Sequence, residues 1–410
     1  MTFPSDDERP RRPRPSLTPP SFSELRAEPQ QDIVVTVPAA DVPLSPIPAQ
    51  QPPRGGLRPA IWLVGALVIV LVLLIAYFLS ALGSAASLVG MVLALVPLAV
   101  VFLAVRIIDR WEPEPPAIMA LAVAWGAVGA VGIALGVDFV ITRVFGSDDS
   151  ALGVALTTVI QAPVVEEIAK GLGVLLIFFI FRRRFDGPID GVVYGALVGA
   201  GFAFTENIQY FAVAFMSGGA DQTGVTFFMR GILSPFAHVM FTSVVGLALG
   251  IAARRAARPA ESFRWWVGGV AGATLLHALW NASAVFFDFF VLYALVQVPL
   301  FVIFIVGIIA LRRAESRLTR VRLGEYAQAG WFTPEEVEML ATGAGRRKAL
   351  AWAATLHGDK TPLMKRFIAD ATSLAAARQR AMSGRDSHAQ ADERALLART
   401  TATRAALFSL

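Results

Sequence analysis

The sequence predicts an all-α protein, a polytopic helical membrane bundle of about eight transmembrane helices with a disordered N-terminal tail and a small helical C-terminal region. Three observations carry this expectation. The chain of 410 residues is 55% hydrophobic and only 16% charged, whereas soluble domains hold about a quarter charged residues. Its charge is segregated into the stretch before Ile61, short loops, and the stretch after Leu311. Between these lie apolar runs of about 20 residues or more, long enough to cross a hydrocarbon core. The chain has no cysteine, which excludes disulfides, thiolate nucleophiles and thiolate metal sites. Chemistry therefore falls to Glu, Asp, His, Lys, Ser or Thr. The net charge of +5 comes partly from arginines beside apolar runs, where a membrane accounts for it without nucleic acid.

Taken in order, residues 1–60 form a cytoplasmic tail rich in Pro and Arg, with "RPRRPRPSLTPP" and "PLSPIPAQQPPRGG" inside it. Such a composition cannot bury a core, so the tail is expected to be disordered. Residues 61–311 hold the spans. The first is Ile61 to Leu82, too long and too far from the start for a cleaved signal peptide. The others are Leu88 to Ile108, Ala117 to Val144, Ala151 to Phe181, Asp190 to Phe215, Gly231 to Ala253, Trp265 to Phe287 and Phe289 to Leu311. Arg54 and Arg58, Arg106 and Arg110, Arg182 to Arg184, Arg254 and Arg255, and Arg312 and Arg313 all fall on one side. The opposite loops "GSAAS", "GSDDS" and "SGGADQTG" carry no lysine or arginine. This asymmetry puts both termini in the cytoplasm. Residues 312–410 read as a cytoplasmic helical appendage, in which Thr333, Pro334 and Glu336 form a capping box. Its His357 and His388 read as surface residues.

The informative positions are ionisable residues inside spans, because charge at membrane depth is costly and faces the bundle interior or a wet cavity. The fourth span carries Glu166, Glu167 and Lys170 in "APVVEEIAKG". Lys170 lies four residues beyond Glu166, so the two share a helix face, while Glu167 is rotated by about 100°. The fifth span brings Glu206 and Asn207, the sixth His238 and Thr242, and the seventh His277 and Asn281. Four successive helices thus carry acid, base or amide groups at overlapping depths, with more acid than one lysine neutralises. Each group alone has a structural reading: a core histidine, a buried ion pair, an interhelical hydrogen bond. Asp138 and Arg143 read as interfacial structural residues. Jointly, a glutamate and a histidine can activate a water while a second His with Asn stabilises an oxyanion, an arrangement for amide hydrolysis. His238, His277 and Glu166 are also candidate zinc ligands, but no HExxH pair exists, so residue type allows zinc and spacing does not demand it. Small residues in "GVVYGALVGAGFAF" and "GGVAGATLLHA" permit close helix approach.

In order and spacing, "EEIAK", "FAFTEN", "HVMFTSVVG" and "HALWNA" resemble the motifs of the PrsW intramembrane proteases, and the loop "DRWEPEPP" resembles that family's acidic, proline-rich cytoplasmic loop. The resemblance covers roughly Arg106 to Arg313. The family is distantly similar to the CAAX prenyl endopeptidases and bacteriocin-processing membrane proteases. It implies cleavage of a membrane-anchored protein substrate, such as an anti-sigma factor, in a plasma membrane. It also implies that Glu166 and Glu167 supply the water-activating base, with His238 and His277 as partners and Asn281 as an oxyanion or orienting group. Lys170, Glu206, Asn207 and Thr242 would then support them. The related CAAX enzymes usually carry His where Glu206 stands, which leaves the role of Glu206 open, as it does zinc. The competing reading is an ion-coupled or proton-relay transporter using the same groups, against which the sequence shows no inverted repeat.

Overall fold

The computed structural model describes residues 57–110, 113–182, 184–255, 257–383 and 388–408. The expected tail therefore lies, up to residue 56, outside the described residues, as do Trp111 and Glu112 of the acidic loop. No strand occurs among the described residues, and the all-α expectation holds. The chain divides into two compact units, one containing 49–315 with 376–393 and the other 316–375 with 394–410.

The first unit is the multi-pass membrane part. Its helices are α1 Leu57–Ala81, α2 Gly83–Ile108, α3 Pro116–Phe145, α4 over residues 151–180, α5 Pro188–Phe227, α6 Ala237–Arg254, α7 Pro259–Phe286 and, up to residue 315, α8 Phe289–Gln328. Six stretches of the described chain are long and apolar enough to cross a membrane, one of which, Pro188–Arg254, holds both α5 and α6. The α4 stretch is not among them; its middle carries Glu166, Glu167 and Lys170. Along α1, α2 and α8, exposed Ile69, Val72, Leu103, Ile303 and Val306 form the uncovered apolar surface that lipid requires.

The interior is built around α5 and α6. Gly191, Gly195 and Gly199 recur every four residues on one face of α5, so small residues let the α6 backbone approach. A Cβ on Gly195 would come within 2.6 Å of the Thr242 carbonyl oxygen. Tyr194, Leu197, Phe241, Val245 and Leu249 fill the space around this seam. The α5 helix breaks at Gly218 and Gly219, the latter with φ 60°, a conformation open to glycine without strain. The chain there reverses and returns toward the middle of α5.

Four wide turns interrupt the described helices, and three end two residues before a proline. They are Thr157–Gln161 before Pro163, Phe228–Leu233 before Pro235 and Tyr293–Gln297 before Pro299. Proline lacks an amide hydrogen and crowds the carbonyl one turn back, and a wider turn absorbs the misfit.

The second unit packs Leu323, Phe332, Leu340, Met364, Phe367 and Leu374 into its own core. Its helices include α9 Pro334–Ala341, α10 Gly343–Ala353, the part of α11 Thr361–Ser383 up to residue 375 and the part of α12 Ala389–Phe408 from residue 394. The capping box stands as expected: Glu336 N–H donates to Thr333 Oγ1 at 3.1 Å, and Thr333 N–H to Glu336 Oε2 at 2.9 Å. His357 and His388 are exposed.

Candidate active site

Helix α4 starts on Ser150, whose Oγ accepts from Gly153 N–H at 3.0 Å. After the wide turn at Thr157–Gln161 it carries the acids at its middle. Two indoles hold this stretch: Trp125 of α3 donates to the Ala169 carbonyl at 3.0 Å and Trp266 of α7 to the Gly171 carbonyl at 2.8 Å. Lys170 lies between those carbonyls, with its ammonium fully buried.

An ammonium has three donors and no acceptor, and Lys170 Nζ has three acceptors around it. They are Glu167 Oε1 at 2.6 Å, Glu166 Oε2 at 3.3 Å and His238 Nδ1 at 3.2 Å. The Phe202 ring lies 4.1 Å from Nζ on a further side. The spacing argument from sequence paired Lys170 with Glu166; the shorter contact is to Glu167, three residues away.

The two glutamates occupy different surroundings. Glu167 is fully buried; besides Lys170, it receives Thr242 Oγ1 at 3.2 Å and meets His277 Nδ1 at 3.0 Å. Glu166 keeps 13% of its side chain exposed and stands 3.9 Å from His277 Nδ1. It lines a cavity of about 340 Å³ with Glu206, His238, His277, Asn281 and Arg230.

The network assigns the histidine tautomers. His238 Nδ1 accepts from Lys170, so Nε2 carries the hydrogen, which is donated to Glu206 Oε2 at 2.9 Å. His277 donates from Nδ1 to Glu167, which leaves the Nε2 lone pair. The imidazoles meet edge to face with centroids 5.0 Å apart, and Phe241 stacks on His277 at 4.9 Å.

Asn281 Nδ2 donates to the Thr158 carbonyl at 2.9 Å. In the wide turn, Ala162 N–H bonds to Thr157 O, so the next such bond belongs to residue 163. That residue is a proline with no hydrogen to give, and Asn281 takes its place. The second Asn281 amide hydrogen is left over from this bond, and the residue lines the cavity.

Every expected site residue gathers here: Glu166, Glu167, Lys170, Glu206, Asn207, His238, Thr242, His277 and Asn281 share one connected network or its cavity wall. Sequence reasoning missed Arg230. Its Nε donates to Asn207 Oδ1 at 2.8 Å, its NH2 group pairs with Glu206, and its guanidinium covers the Tyr210 ring at 3.9 Å. An arginine in the apolar stretch "TFFMRGIL", after the "GG" breaker, is the signal that could have found it.

Glu166, His238 and His277 offer donor atoms within 4.8 Å of one another, and two imidazoles with a carboxylate suit catalytic zinc by residue type. As arranged they do not fit. Both nitrogens of His238 are engaged, and the one with the lone pair faces an ammonium 3.2 Å away, where a metal cation would have to stand.

Outside the spans, the acidic loop is tied to the bundle. Asp109 accepts from Glu114 N–H at 3.0 Å, and Glu114 Oε2 accepts from Tyr194 O–H at 2.6 Å. Burial pushes the Glu114 carboxyl up to about 8, against the Tyr194 hydrogen bond, and Asp109 up to about 6.

The family described as PrsW family intramembrane metalloprotease matches residues 114–308. Protease PrsW of Geobacillus kaustophilus (strain HTA426) is 27% identical over 143 residues, covering 35% of this chain and 57% of that protein. The chain thus spans a little over half the length of this curated relative. No solved structure matches. The glutamates, histidines and asparagines of the cavity all fall inside the region, residues 114–308, that is similar to the PrsW family.

Proposed function

We propose that this chain is an intramembrane endopeptidase that hydrolyses peptide bonds of membrane-anchored proteins, with Glu166 as the base that activates water. The observation that carries this is the division of labour between adjacent carboxylates. Glu167 is sealed against Lys170, Thr242 and His277, whereas Glu166 faces the cavity. A sealed carboxylate holds geometry; an accessible one can exchange a proton with water.

In this mechanism the scissile carbonyl enters the cavity beside Glu166. Glu166 takes a proton from water as the oxygen attacks the carbonyl carbon, and His277, oriented by Glu167, holds that water through Nε2. The free Asn281 amide hydrogen meets the developing oxyanion. Collapse of the tetrahedral intermediate breaks the C–N bond, and the proton held on Glu166 passes to the leaving amine. The products are a carboxylic acid and an amine, with one water consumed. Lys170 opposes the negative charge of the glutamate pair throughout. Glu206, fixed by Arg230, orients His238 from the far side. No step passes through a metal, because His238 offers none a free lone pair. The arginine asymmetry supports a plasma-membrane orientation with both termini cytoplasmic.

The transporter reading is not favoured, since the family match points to proteolysis. In proteoliposomes, Glu166→Gln, Glu167→Gln and His277→Ala are expected each to abolish cleavage of a single-span reporter. Normal cleavage by all three overturns the assignment. Full activity of chelator-treated protein free of bound zinc is expected; loss on chelation with recovery on zinc addition contradicts the glutamate mechanism.

A further inference from the structure

A second cavity, of about 380 Å³, lies between α3, α4 and α5. It shares Glu166, Glu206, Tyr210, Thr157 and Ala162 with the catalytic cavity, so the two meet at the proposed base. Its walls are largely apolar, from Val131, Ala134, Leu135, Val165, Phe202 and Val213. The remaining lining is acid or amide: Asp138, Gln161 and Gln209, with no Lys, Arg or His. The catalytic cavity, by contrast, carries Arg230 and both histidines.

The three carboxylates of this second cavity differ in their partners. Glu166 has Lys170, and Glu206 has Arg230 and His238. Asp138 receives the Gln161 amide at 3.3 Å and has no cation among the described residues. Asp138 is an exposed residue of α3 that lines this cavity, so its carboxylate is reachable by an incoming positive charge. A side chain with an aliphatic stem and a cationic tip suits both parts of the space, its stem along Leu135 and Val213 and its head at Asp138. An anionic side chain meets three carboxylates and is rejected.

We propose that this cavity is the subsite for a lysine or arginine side chain of the substrate next to the cleaved bond, with Asp138 as the specificity-determining residue. This rests on the proteolytic reading of the site. It also replaces the structural role that sequence alone suggested for Asp138.

The test uses the full chain in proteoliposomes and a single-span reporter whose cleaved bond is mapped by mass spectrometry. Arg, Leu or Glu is then placed at each position flanking that bond. At one position the wild type is expected to favour Arg over Leu, with Glu poorest. The Arg-to-Leu ratio of kcat/KM is expected to fall roughly tenfold in Asp138→Asn, and Asp138→Lys is expected to turn the preference toward Glu. A ratio that is the same in wild type and Asp138→Asn overturns the subsite while leaving proteolysis intact. Cross-linking supplies a readout that needs no cleavage, because the chain has no cysteine of its own. In the Glu166→Gln background, Ala134→Cys is expected to form a disulfide with a reporter cysteine adjacent to the Arg. Cross-linking at Ala284→Cys of the catalytic cavity but not at Ala134→Cys overturns the proposal. Cross-linking at Ala134→Cys in a chain that cleaves no reporter upholds the subsite and counts against the proteolytic reading alone.

Discussion

Glu166 and Glu167 are chemically identical and adjacent, and their surroundings predict opposite responses to the same substitution. Removing the charge of Glu167 strips a buried ammonium of its 2.6 Å partner and an imidazole of its acceptor. Breaking one side of a buried ion pair costs about 3–5 kcal/mol. Glu167→Gln is therefore expected to lower the melting temperature in detergent as well as activity. Glu166→Gln, at the cavity wall, is expected to lose activity with melting nearly unchanged. Equal melting of both variants contradicts this division. Arg230→Gln is expected to lower kcat roughly 10- to 100-fold with little change in KM, since it releases Glu206 and so lets His238 shift; a change in KM alone contradicts that positioning role. Most of these residues were legible in the sequence because charge inside an apolar run stands out. The nearer partner of Lys170 was not, since residues three and four apart both lie in reach on a helix, and His277 and Thr242 draw Glu167 into the core. The pairing of Arg230 was not legible because its partner Glu206 is 24 residues away, across a reversal.

Among the elements, the α5–α6 seam sets the site's geometry, since it fixes the depth of His238 and Thr242 against α4. Gly195→Leu places a side chain where a Cβ alone already meets the Thr242 carbonyl at 2.6 Å. A loss of about 1–3 kcal/mol or more is expected, read as a lower melting temperature and reduced cleavage; wild-type melting contradicts the close approach. The small-residue run on α5 announced this packing. The break at Gly218 and Gly219 was hidden inside what read as an outer loop, and the wide turns were hidden too. Three of the four turns follow from a proline two residues beyond their end, but a proline in a span also fits a simple kink. Only the position of Asn281 beside Thr158 shows how the missing amide hydrogen is replaced.

On the scale of the whole molecule, the membrane bundle was legible from composition and charge asymmetry, because lipid tolerates little but closed helices. How the acidic loop between α2 and α3 joins the bundle was not, because it depends on Tyr194 of α5 meeting Glu114 across 80 residues. This joint gives the fold a pH dependence of definite sign. The folded Glu114 carboxyl holds its proton up to about 8, against 4.5 as the ordinary value. Its contribution to stability is therefore fully present below about 4.5 and is lost as pH rises through about 8. Thermal unfolding in detergent is expected to shift downward between about pH 4.5 and pH 8, and Glu114→Gln is expected to flatten that slope. An unchanged slope in the variant contradicts the assignment.

The central claim is that Glu166, the accessible member of the pair, activates the water that cleaves a membrane-anchored substrate. Single-turnover cleavage of a single-span reporter by purified, zinc-free protein in proteoliposomes tests it directly, with the wild type and Glu166→Gln compared at equal folded amounts. Cleavage by the wild type at full rate and none by the variant is expected. Cleavage by Glu166→Gln at the wild-type rate, or activity in the wild type only after zinc is restored, contradicts it.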